Sequence, residues 1–155
     1  SEERINKSID SLHQCYIIEN LYRCYLVNNN PRILSSIQKA LDFYIPNFYS
    51  EGKITKFCDP KYSRYPLELI DHAEAIIMFT MLDRDYKTME YATKVVEYTL
   101  GKLKIQDKPY FYSYILNGKS VDIPYIRWGL SQMLYAYVFY TLISKKKIDL
   151  KELLL

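Results

Sequence analysis

Three stretches of this chain are apolar almost all the way round a helix, and the two between them are apolar on one side only. The first type covers residues 8–28, 66–82 and 124–143; it includes Ile76, Ile77, Met78 and Phe79, then Met133, Leu134, Tyr135 and Ala136. The second type covers residues 31–49 and 85–103. Its apolar stripes are Ile33, Ile37, Leu41, Tyr44 and Phe48 in one, and Met89, Ala92, Val96 and Leu100 in the other. A helix apolar on every side must be enclosed by neighbours, whereas a striped helix lies at a surface. The pattern predicts inner and outer helices in alternation: an all-α fold of consecutive αα hairpins in a single domain, residues 1–155. Pro31, Pro66 and Pro124 stand near the starts of three segments, where a missing N–H costs little.

Charge and cysteine usage narrow the class. The formal net charge is only +3 over 155 residues, and the basic residues are scattered, so neither nucleic acid nor a membrane surface is expected as a partner. No uninterrupted apolar run is long enough to span a bilayer. Cys15, Cys24 and Cys58 form no Cys-x-x-Cys pair, which points to free thiols and a reducing, cytoplasmic setting. Two histidines give too few ligands for a convincing metal site. There is no glycine-rich phosphate loop and no nucleophile elbow, so no metal or cofactor is expected. Seventeen tyrosines suit walls that are apolar yet must meet a polar ligand.

An internal repeat accompanies the alternation. The block Asp10-Ser11-Leu12-His13 aligns with Asp71-His72-Ala73-Glu74, 61 residues on, and that block aligns with Trp128-Gly129-Leu130-Ser131, 57 residues further. Each block opens polar and turns apolar after about one helical turn. The first two are followed by a one-sided helix and a short β-like excursion, residues 52–57 and 110–116. The second excursion ends in Asn117-Gly118, a strong hairpin signal.

The segments Ile9 through Leu21, Tyr65-Pro66-Leu67-Glu68 through Ala75, and Tyr125-Ile126-Arg127-Trp128-Gly129 resemble the six-hairpin (α/α) toroid superfamily of glycosidases and sugar epimerases. Within it the chain looks nearest to a group encoded near polysaccharide-synthesis genes. A six-hairpin toroid holds more helices than the five read here, and the chain opens on Ser1 rather than Met. The resemblance therefore implies the C-terminal part of a larger toroid.

Polar residues in the opening turns of the inner helices are the natural lining of a shared cleft. Asp10 and His13 are three apart and share a face, where a carboxylate beside an imidazole could do acid–base work. Asp10 is equally suited to capping the helix. Asp71 occupies the equivalent repeat position, and two carboxylates on adjacent helices are what glycoside hydrolysis requires. Asp10, Asp71 and His13 are thus the catalytic candidates. Arg127 can fork onto a sugar carboxylate and Trp128 can stack on a sugar face. Arg64, Tyr65, His72, Glu74 and Gln132 complete the expected substrate-binding set.

These residues lead to a domain that processes a polysaccharide or uronate-containing glycan. The alternative is a non-catalytic helical-repeat domain that binds glycan or protein through an aromatic concave face. Either way, the first and fifth helices are expected to leave apolar side chains at open edges, including Tyr16, Ile17, Tyr137 and Tyr140. Missing parts of the parent protein, or a second copy in a homodimer, would cover them.

Overall fold

A computed structural model of the protein describes residues 9–59, 66–145 and 148. Among these residues are five α-helices: α1 (Ser11–Asn28), α2 (Pro31–Phe48), α3 (Leu69–Tyr86), α4 (Met89–Tyr98) and α5 (Ser131–Ser144). Two small antiparallel sheets lie between them. One pairs β1 (Tyr49–Ser50) with β2 (Lys53–Ile54). The other has the order β3 (Leu67–Glu68), β4 (Tyr114–Leu116), β5 (Lys119–Val121). The fold is mostly helical with short β excursions, as the sequence pattern predicts.

Hydrogen bonds between helices give the directions. The Tyr16 and Tyr22 hydroxyls donate to Glu74 and Asp85, so α1 and α3 advance together. Gly129 packs on Leu69 and Gln132 bonds Glu74, so the start of α5 lies beside the start of α3 and advances with it. Tyr44, late in α2, meets Ser11 at the start of α1, and Tyr86, late in α3, donates to Leu34 O early in α2 at 2.6 Å. Tyr140 and Tyr137 of α5 pair with Thr93 and Thr99 in the reverse order. Hence α1, α3 and α5 run parallel, with α2 and α4 antiparallel to them.

Helix α3 is the centre, with every residue from Asp71 to Leu82 buried. It packs on α1, α4 and α5. An aromatic cluster joins its Phe79 to Tyr44 of α2, Tyr49 of β1 and Tyr91 of α4, with ring centroids 5.2–6.0 Å apart. Much of the tyrosine load is therefore structural: the rings fill the interior while several hydroxyls tie one helix to another. The flanking helices are enclosed less fully than their composition suggests. Tyr16 and Ile17 of α1 and Leu134, Tyr135 and Val138 of α5 are exposed. Tyr137 and Tyr140, expected at the open edge, instead turn inward to buried Thr99 (2.6 Å) and half-buried Thr93 (2.9 Å), because each hydroxyl finds a threonine partner.

Helix boundaries depart from the sequence reading where β pairing competes. α3 starts at Leu69 rather than at residue 66, because Leu67 and Glu68 pair with Ile115 and Tyr114 of β4. α5 starts at Ser131. The preceding turn, Ile126–Leu130, is widened and kinked, with Trp128 at φ −118°, ψ 75° and Gly129 at φ 133°. α4 ends early and passes into a π-helical turn over Thr99–Leu103. The buried face of α4, Ala92 and Val95, continues through Thr99 and Leu103 of that turn, and Leu100 is exposed. Asn117 and Gly118 form the β4–β5 turn with φ values of 49° and 75°, as the Asn-Gly signal predicts.

Candidate functional site

The polar residues of the inner helices fall into two adjoining layers. The upper one lies at the helix starts. Asp10 is the N-cap of α1: its Oδ1 accepts from the His13 backbone N–H at 2.9 Å, and both its oxygens lie 2.8 Å from His13 Nδ1. The capping role of Asp10 is therefore occupied, and the Asp10–His13 pair forms as its spacing predicts. His13 itself is exposed.

Asp71 does not occupy the position that the repeat alignment gives it. The residue matching Asp10 as cap is Glu68, 58 residues on, and Asp71 sits within the first turn of α3. It is only 1% exposed, and its Oδ2 has no hydrogen-bond partner. Burial, then the neighbouring Glu68 carboxylate, pushes its pKa up to about 7; Lys56 opposes this, while Asp10 and Glu74 add to it. The Asp10 charge thus reaches Asp71, which places the two at the same end of the helix row. Lys56, from the loop after β2, is ion-paired to Glu68.

The lower layer is centred on Glu74, also 1% exposed. Its Oε1 accepts from the Tyr16 hydroxyl of α1 at 3.4 Å and from Gln132 Nε2 of α5. Both partners lie 58 residues from it, so equivalent levels of three parallel helices meet at one oxygen. Burial raises the pKa of Glu74, and the two donors counter the rise. Glu19 of α1 stands close by, 7% exposed, with Oε1 buried and without a partner. Burial and the Glu74 charge push its pKa up to about 8, against the pull of Arg23. Sequence reading missed Glu19. The available signal was a single acid inside the apolar run Tyr16-Ile17-Ile18-Glu19.

His72 is not at the rim. It is fully buried and stacked on Tyr98 at 5.5 Å. Its Nε2 accepts from the Ile54 N–H at 3.1 Å, so the proton is on Nδ1, which donates to Glu68 O at 2.8 Å. Burial holds its pKa down to about 4. Both ring nitrogens serve the backbone, so His72 bolts the β1–β2 hairpin to α3 and is removed from the substrate-binding set. Arg127 and Trp128 do lie together and exposed. They lie in the kinked turn rather than in a helix, with the guanidinium 5.9 Å from the indole centroid. Arg64 and Tyr65 fall outside the described residues.

Beside these layers, His13, Tyr16, Ile17, Asn20, Leu21 and Cys24 line an open groove of about 400 Å³ along α1. Among the described residues no group of three or more His, Cys, Asp or Glu is placed to hold a metal ion, and no helix is long and apolar enough to cross a membrane. The three cysteines are free. Comparison with family models, with curated proteins and with solved structures finds no match.

Proposed function

We propose that this chain is a saccharide-processing domain of the (α/α) toroid type, acting on a polysaccharide or uronate-containing glycan by carboxylate acid–base chemistry. The observation that carries this reading is Asp71, a buried carboxyl group with an unpartnered oxygen and a pKa near 7. A group poised near the working pH is suited to transfer a proton, and an unsatisfied buried oxygen is costly unless something uses it. Asp71 is the acid in this reading. Glu74, whose charge Tyr16 and Gln132 favour, is the partner base. Arg127 and Trp128 meet the sugar at the helix starts. The parallel inner helices with antiparallel outer ones support the toroid architecture, of which this chain supplies part.

The test is incubation with neutral and uronate-containing oligosaccharides, followed by NMR of the anomeric protons. Turnover by the parent and its loss in Asp71→Asn, with helical circular dichroism unchanged, is the expected result. Absence of turnover on every glycan removes the catalytic role.

One observation favours the non-catalytic alternative. Asp71 and Glu74 are closed from solvent, whereas Trp128 is 64% exposed. On that reading the Arg127–Trp128 turn binds glycan without altering it. Trp128→Ala then weakens binding in calorimetry, while Asp71→Asn leaves it unchanged.

A further inference from the structure

The two outer members of the inner helix row expose the positions at which the central member is packed. Cap matches cap at 58 residues between α1 and α3, and Tyr16, Glu74 and Gln132 meet at the same spacing. On α1, the exposed Ile17, Asn20 and Cys24 correspond to Ala75, Met78 and Leu82 of α3, all of them buried. On α5, the exposed Leu134, Tyr135 and Val138 correspond to Ile76, Ile77 and Thr80, also buried. At 100° per residue, Met78 and Leu82 lie on the side of α3 that carries Asp85, the partner of Tyr22 of α1, while Ile76 and Thr80 lie on the side of Leu69, against which Gly129 packs at the start of α5. Each end of the row therefore presents half of an interface that the chain already forms twice, as α1 on α3 and α3 on α5.

We propose that a second copy of this chain packs head to tail on the first, the apolar face of α5 in one copy seating on the groove of α1 in the other. The argument for a second copy is continuity with the internal interfaces: one chain carries both mating faces, each at the register used inside it. Neither face carries a charge that would oppose contact. The α5 face is Leu134, Tyr135 and Val138, and the α1 groove is apolar apart from His13 and Asn20. Contiguous apolar surface of this kind marks an interface. A head-to-tail contact leaves no open edge only when it closes. Two copies, each giving α5 to the other's α1, close a ring of six inner helices. The assembly goes beyond the glycan reading and does not depend on the substrate.

The experiment is light scattering on the eluting protein at micromolar concentration, with Ile17→Lys and Val138→Lys. Both side chains are about half exposed in the single copy, so neither change disturbs its core. The parent is expected at twice the chain mass. Each variant alone is expected at the single-chain mass with unchanged helical circular dichroism, since every contact uses Ile17 of one copy and Val138 of the other. Mixing the two variants restores a two-chain species, because one contact then has both faces intact. An isologous α1–α1 or α5–α5 interface cannot produce that rescue. A parent of single-chain mass overturns the proposal, as does a two-chain parent that only one of the two substitutions dissociates. Measuring the same samples for glycan turnover separates the two ideas: a two-chain protein inert on every glycan keeps the assembly and loses the enzymatic reading.

Discussion

The Tyr16 hydroxyl donates to Glu74 Oε1 at 3.4 Å across the α1–α3 interface. Because Gln132 donates to the same oxygen from α5, the negative charge in this layer belongs on Glu74. Glu19, beside it, has an oxygen with no donor at all. Two buried carboxylates so close cannot both ionise cheaply, and the one without donors keeps its proton. The pair is thus unequal by construction, with consequences for stability as well as chemistry.

Glu19 has a folded pKa of about 8 against an ordinary 4.5. The folded state binds this proton more tightly than the unfolded chain does. Its contribution is therefore fully present below about pH 4.5 and is lost as pH rises through 8. Glu19→Gln should flatten the decline. At pH 9 it is expected to be more stable than the parent by on the order of 2 kcal/mol in urea unfolding. Identical pH profiles for the two proteins would show that Glu19 is solvated.

His72 has the opposite sign. Its pKa is held at about 4, below the ordinary 6.5, so the neutral ring is stabilised by folding. That stability is present above about pH 6.5 and is lost as pH falls through 4. His72→Ala also strands the buried Ile54 N–H, and a loss of about 1–3 kcal/mol is expected at pH 7. Hydrogen exchange at Ile54 should speed up in the variant and, in the parent, as pH falls below 6 once intrinsic rates are divided out.

Gly52 turns the β1–β2 hairpin at φ 83°, and a Cβ there would lie 2.2 Å from Lys94 O of α4. Both the backbone conformation and the close approach exclude a side chain. Gly52→Ala is expected to cost more than about 2 kcal/mol. Gly118, also at positive φ but with nothing within 4 Å of a Cβ, should tolerate alanine better. Thermal melts of the two variants side by side check the difference.

How far the sequence speaks for this fold depends on what competes with helical periodicity. The α2 stripe was fully legible, and Ile37, Leu41, Tyr44 and Phe48 are buried. The start of α3 was not legible, because Leu67 and Glu68 are drawn into pairing with β4, nearly fifty residues away. The α4 face was misread by one position: Ala92, Val95 and Thr99 form an i, i+3, i+7 stripe as regular as Ala92, Val96 and Leu100, and periodicity alone does not choose between them. In the candidate site, Asp71 and Glu74 were visible as acids in an opening turn. Glu19 was not, since periodicity alone does not tell a buried acid from one that reaches solvent. His72 resembled a rim group because its partners, the Ile54 N–H and Glu68 carbonyl, are backbone atoms.

Asp71 offers the sharpest test, because stability and activity should move in opposite directions. Its folded pKa of about 7 lies above the ordinary 3.8, so its contribution to stability falls from about pH 4 and is lost above 7. At pH 8 the parent carries a buried charge with an unpartnered oxygen. Asp71→Asn keeps the shape and removes the charge. It is expected to raise the melting temperature at pH 8 and to change it little at pH 4, while abolishing glycan turnover. A residue retained only for packing would give no such trade, since relieving strain at a purely structural position has no functional cost. The decisive measurement is the melting temperature of parent and variant at both pH values, set beside turnover of the same preparations. If the variant is less stable at pH 8, Asp71 has a partner that steadies its charge, and its role as a proton-transferring acid is withdrawn.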